Sequence, residues 1–286
     1  MRKFPFSAHN PGRVRQALCP GKERNLQHDP AILFVLISLG SQSTVTYMKI
    51  TRFALLTTLM ASLCLPAMPV VAEEELPHAY PRTGVRTLFE NDRVFAWDVT
   101  WLRGVEQPFH RHRYDMAAVY LRYGPIRITR PDGTVNPPSE PFDIPRPYYQ
   151  PSQIYHKEEM IGFPEDAPQR WAIMFDIKEV LGRSEPVARG TEAAFPRDGA
   201  QLAIDNERVA EWVHGWEEGE QGEMRTYQRD AVQVFSEPGI LQYTFESGVT
   251  LTEAYAIGDA RFVPAGTVRA EKAVIGSPQA VTIEFK

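Results

Sequence analysis

Apolar side chains along this chain come in short runs separated by turn residues. Val94 to Trp101 reads VFAWDVTW, β-branched and aromatic residues that suit an extended strand. Ala117 to Arg122 is a second run, closed off before Gly124. Ile126 to Thr129 alternates, and Pro131-Asp132-Gly133 then turns the chain. Further on, Leu241 to Phe245, Val249 to Tyr255 and Val281 to Phe285 repeat the style, with turns at Ser247-Gly248 and Gly258-Asp259. Helical periodicity is scarce. Many short strands with regular turn signals predict antiparallel sandwiches or barrels.

The chain also repeats itself at an offset of 115 residues. ENDRVFAWDVTWLRG from Glu90 lies over DNERVAEWVHGWEEG from Asp205 without a gap. Asn91 matches Asn206, Arg93 matches Arg208, and Trp97 and Trp101 match Trp212 and Trp216. Gly104, Asp115, Val119 and Gly124 match Gly219, Asp230, Val234 and Gly239. Tryptophan is rare, so the two halves read as structural duplicates, with the four tryptophans as shared packing. The proline-rich stretch 131–151 reads as a stiff loop inside the first half, and 178–204 as the link between halves, its KEVLGR start able to form a helical turn.

Charge divides the chain differently. Of 286 residues, the first 72 hold eight basic and two acidic side chains, leaving 23 basic against 34 acidic in the rest. So acidic a body repels phosphate backbones, and no nucleic-acid partner is expected. From Met48 the sequence has a basic start at Lys49 and Arg52, an apolar run from Phe53 to Leu65, and small residues ending at Ala72. The run is too short to span a bilayer comfortably. Residues 48–72 therefore read as a signal peptide cut near Ala72, giving a periplasmic or secreted product without a membrane span. Residues 1–47 are a basic leader, or an upstream extension if translation begins at Met48. Both cysteines, Cys19 and Cys64, precede the cut, so the mature chain has no disulfide and no thiol nucleophile.

Candidate chemistry centres on HRHRYDM. His110 and His112 are two apart, so on a strand both imidazoles face one side and can meet one ion. Gly104, five residues, then His110-x-His112, with Gly124 further on, resembles the first motif of the cupin superfamily. PSQIYHKEEM resembles its second motif, with Gln153 at a glycine place and His156 at the histidine place. GDARFVPAGTVR in the second half fits through Gly258, Pro264 and Gly266, but Arg269 stands where histidine belongs.

The resemblance implies an all-β chain of two jelly-roll barrels in tandem, residues 85–177 and 205–286. It also implies a divalent transition metal on His110, His112 and His156. Iron is the first expectation, then manganese, nickel or zinc; three imidazoles suit such ions and not Mg²⁺ or Ca²⁺. Met116 occupies the place of the motif's carboxylate. Asp115 could replace it, but parity turns it away and Asp230 repeats it without histidines. Glu158 shares parity with His156 and is a second candidate ligand. The third option is a three-histidine site. Glu158, Tyr114 and Tyr155 are the candidates for proton transfer. In the second half Arg225, Tyr227 and Arg269 replace the histidines, leaving either a structural barrel or an anion pocket. The expected activities are a dioxygenase-like or isomerase-like reaction on a small anionic substrate. The alternatives are a non-catalytic binding protein and a structural barrel, and a homodimer is an open option.

Overall fold

The computed structural model describes residues 76–161, 169–179 and 185–286. The leader, the signal peptide and residues 180–183 of KEVLGR lie outside the described residues. Lys178 and Glu179, which begin that stretch, are in neither strand nor helix. No described helix is long and apolar enough to cross a membrane.

The first half contributes β1 (Val85–Glu90), β2 (Val94–Thr100), β3 (Gln107–Arg111), β4 (Asp115–Arg122), β5 (Ile126–Thr129), β6 (Arg146–Gln150), β7 (Tyr155–Met160) and β8 (Trp171–Ile177). They form two antiparallel sheets, ordered β1-β2-β8-β4-β6 and β3-β7-β5. The second half contributes β9 (Glu192–Ala193), β10 (Gln201–Asp205), β11 (Val209–Gly215), β12 (Arg225–Tyr227), β13 (Ala231–Glu237), β14 (Gly239–Phe245), β15 (Thr250–Tyr255), β16 (Ala260–Val263), β17 (Thr267–Ile275) and β18 (Gln279–Phe285). Its sheets run β10-β11-β18-β13-β16 and β15-β14-β17-β12-β9. Strand for strand, β1, β2, β8, β4 and β6 correspond to β10, β11, β18, β13 and β16. Each half is a jelly roll, and the internal repeat is a repeat of topology.

The absence of clean alternation in runs such as MAAVYL has a physical cause. The large sheet of each half is buried on both faces. On β4, Met116, Ala118 and Tyr120 point into the barrel, while Ala117, Val119 and Leu121 point the other way. Outward residues of the first half, Val94, Ile173 and Phe175 among them, form one apolar cluster with Val209, Val232, Val234, Val281 and Ile283 of the second. The two large sheets thus pack face to face, and Asp115 pairs with Arg208 across the seam at 2.7 Å.

Two segments differ from the expectation. The proline-rich stretch 131–151 contains β6, with Pro147 inside it. Proline is tolerated there because β6 is the edge of its sheet, where a missing N–H breaks no ladder. The stretch 178–204 contains β9 and most of β10, which pair with β12 and β11. These strands belong to the second barrel.

Candidate metal centre

β3 delivers His110, the residue just past it is His112, and β7 delivers His156 in direct register with His110. A turn at Gln153 fixes the geometry: its backbone N–H donates to the His112 carbonyl at 2.6 Å, and the His112 N–H donates to Ile154 at 2.9 Å. Gln153 adopts φ +69°, the left-handed conformation of the motif's glycine. Gly266 makes the same turn in the second barrel, with φ +79° and a bond to the Tyr227 carbonyl.

All three histidines are buried, and their ligand atoms lie within 4.8 Å of one another. The Nε2 atoms of His112 and His156 are 3.3 Å apart. Two nitrogens on one ion at roughly 2.0–2.1 Å, with tetrahedral or octahedral angles, sit about 2.9–3.4 Å apart. His110 donates from Nδ1 to the Pro108 carbonyl at 2.9 Å, which leaves its Nε2 as a lone pair. That buried Nε2 has no hydrogen-bond partner. Burial pushes His110 down to about 4 and His112 down to about 3, so both imidazoles are neutral at pH 7 and ready to ligate. The donor set fits a first-row transition metal.

Glu158 stands against this triad. Its Oε1 is 3.3 Å from His156 Nε2. Its Oε2 accepts from Arg82 Nη1 at 2.5 Å and from the Trp101 indole at 2.9 Å. Burial alone would raise its pKa, but Arg82 and His156 outweigh it and hold the carboxyl well below its usual range. Glu158 is outside the group of atoms that converge within 4.8 Å. Asp115 is turned away, as strand parity predicts. Its Oδ1 accepts the Ser152 N–H, as Asp230 Oδ1 accepts that of Ala265. Met116 is buried on the cavity wall.

The cavity beside the triad is about 270 Å³, lined by His112, His156 and Glu158 together with Met116, Ile126, Ile128, Phe142 and Met174. Neither tyrosine proposed for proton transfer lines it. Tyr114 is exposed and packs edge-on against His78. Tyr155 neighbours His156 on β7, so alternation turns it outward, where it receives Arg111.

The second barrel repeats the frame with other chemistry. Arg225 and Arg269 occupy the register of His110 and His156. The three residues of the suggested anion pocket do line one cavity. Each arginine already has its counter-charge: Arg269 binds Glu271 and Gln233, and Arg225 binds Glu192 and Glu223. Glu217, Glu220 and Glu223 also line this cavity, which makes it a poor host for an anion.

Sequence reading missed Arg82 and Glu271. The signal was there, since AYPRTG from Ala79 lies over AFPRDG from Ala194 at the same 115-residue offset. It places Arg82 on Arg197, which binds Glu271 at 2.9 Å.

No protein-family model and no curated protein matches the chain. Solved structures do. AerE from Microcystis aeruginosa superposes with a TM-score of 0.50 at 10% identity, covering 74% of this chain and 98% of its own. A cupin 2 conserved barrel domain protein from Leptotrichia buccalis gives 0.44 at 11%, covering 71% and 88%. An oxalate decarboxylase variant from Bacillus subtilis gives 0.48 at 14%, covering 71% and 72%. The chain has a bicupin fold. Only the first barrel keeps a three-histidine cluster among the described residues.

Proposed function

We propose that this bicupin is an exported, metal-dependent enzyme acting on a small anionic substrate, by dioxygenase-like or isomerase-like chemistry. The observation that carries the reading is the convergence of three buried imidazoles, one with an unpartnered Nε2, beside a cavity of about 270 Å³. His110, His112 and His156 would hold the ion, iron first, with manganese, nickel and zinc as the other candidates. Such an ion supplies Lewis acidity, or electrons to dioxygen, at a chelated substrate. The protein's own part is to orient and to exclude water. Pro108 sets the ring of His110, the Gln153 turn sets His112, and Met116, Ile126 and Met174 give the cavity an apolar side. Glu158, held as an anion by Arg82, lends negative charge beside the ion. Export rests on the leader features of residues 48–72 and places the activity in the periplasm or outside the cell.

Metal content of the purified full chain tests the core of this reading. Roughly one equivalent of iron, manganese, nickel or zinc is expected, together with oxygen uptake or turnover on a panel of small carboxylates and enolates. Protein that takes up no metal from any of these salts overturns it. A second reading, a non-catalytic metabolite-binding protein, is favoured by one observation: the only carboxylate lining the cavity among the described residues is tied to Arg82. Metal with ligand binding but no turnover would select it.

A further inference from the structure

The two barrels separate architecture from function, because what both keep is frame. The Arg–Glu–Trp cluster, the Asp cap and the turn at Gln153 or Gly266 recur in both. Besides the histidines, one buried charge of the first barrel has no charged counterpart in the second. Arg170 immediately precedes β8, where its carbonyl accepts the Trp101 N–H at 3.0 Å. In the second barrel the residue that accepts from Trp216 in this way is Pro278. The facing glycines agree: a Cβ on Gly124 would meet Arg170, and one on Gly239 would meet Pro278.

Arg170 is 6% exposed and lines the cavity that His112 and His156 also line. Its guanidinium lies over Tyr120, Phe142 and Trp101 at 4.3, 5.3 and 5.5 Å. Its hydrogen bonds go to neutral oxygens, the Gly124 carbonyl at 3.3 Å and the Ser139 hydroxyl at 3.2 Å. Its Nε has no partner, and no carboxylate among the described residues pairs with it. The side chains lining the cavity include three arginines (Arg82, Arg146 and Arg170) against one glutamate, and that glutamate is tied to Arg82. A buried cation that no described carboxylate balances is costly unless a ligand supplies the charge. The Nε2 amide nitrogen of Gln150, also buried and without a partner, adds a second donor on the same wall.

We propose that Arg170 is the carboxylate-binding residue of the first barrel, taking a small carboxylic acid whose apolar body lies against Met116, Ile126, Phe142 and Met174. The planar guanidinium fork suits a carboxylate. The inference rests on the reading of this cavity as the substrate site, and names its substrate class.

The test is calorimetric titration of the chelator-treated full chain with acetate, malonate, benzoate and inorganic phosphate. Metal-free wild type is expected to bind carboxylates, benzoate most tightly. Arg170→Gln is expected to weaken binding at least tenfold with metal uptake unchanged. Arg170→Lys, which keeps the charge and loses the fork, is expected to fold and bind several-fold more weakly than wild type. Wild-type affinity in either folded variant overturns the proposal. So does carboxylate binding that requires metal, or a preference for phosphate. Protein that binds carboxylate through Arg170 yet takes up no metal would sink the metal reading and leave this one standing.

Discussion

Glu158 and Glu271 hold the same station in their two barrels, each accepting a tryptophan indole N–H at 2.9 Å, from Trp101 and Trp216, and each paired with the matching arginine. The second barrel keeps this arrangement without a single motif histidine. The carboxylate's shared duty is therefore to balance a buried arginine at the barrel wall. Its nearness to the metal position is a use the first barrel makes of an inherited group.

Glu158→Gln leaves Arg82 buried without its anion, and is expected to cost about 3–5 kcal/mol in chemical denaturation. Glu271→Gln removes the counter-charge of Arg197 and Arg269 and should cost a similar amount. Metal titration separates the two. Glu158→Gln should weaken binding by about 10–100-fold, as loss of a supporting group does, while Glu271→Gln should leave it unchanged. Complete loss of metal in Glu158→Gln would make it a ligand.

His112→Ala removes one of three convergent nitrogens and should abolish stoichiometric metal in the purified protein. Met116→Ala should retain it, because the thioether is a wall of the cavity and no ligand for hard divalent ions. It should still destabilise the fold by about 2–5 kcal/mol, since Met116 is fully buried. Elemental analysis and a melting curve on each variant check both statements.

Acid should destabilise the second barrel through His214. Its Nδ1 accepts from Arg197 at 2.5 Å and its Nε2 donates to Thr282 at 2.7 Å. Burial first, then Arg197, hold its pKa well below the ordinary value. As pH falls below about 6.5 the unfolded chain takes up a proton there that the folded chain refuses, so stability drops with falling pH. The slope from this group is at most about 1.4 kcal/mol per pH unit. His78 acts in the opposite sense, its pKa raised by Asp176 and the Arg111 carbonyl against the pull of burial. His110 and His112, also held low by burial, add to the loss in metal-free protein. Denaturation curves from pH 7.5 to 5 should show it, and His214→Gln should make the slope shallower without removing it.

Gln153→Gly should stabilise the protein by about 0.5–1 kcal/mol. A non-glycine residue in the left-handed region costs about 1–2 kcal/mol, and glycine gives back part of that gain as unfolded-chain entropy. Metal uptake should not change, since the bond to the His112 carbonyl is made by the backbone N–H of Gln153. A lower melting temperature would show that the side chain contributes something the backbone argument omits.

Much of this was legible in the chain itself. The strand runs, the 115-residue repeat and the placing of His110, His112 and His156 follow from spacing and parity, which local sequence carries. Asp115 was legible as architecture because its partner Asp230 survives without histidines. Arg82, Arg170 and β9 were less so. Arg170 lies in no motif, and its meaning comes from a cavity in which no described carboxylate pairs with it, a property of packing rather than of a sequence window. β9 is two residues long, and only its pairing with β12 defines it. Tyr114 and Tyr155 looked close to the histidines in sequence, but alternation along strands sends neighbours to opposite faces.

The face-to-face packing of the two large sheets gives the molecule a contact that separate barrels would have to find by collision. Here both partners are on one chain, so the contact forms at an effective concentration set by tether length. Its occupancy does not fall on dilution, unlike that of an obligate dimer. The first barrel's cavity therefore keeps its backing sheet supported at any protein concentration, while the second barrel is free to hold salt bridges where the first holds imidazoles.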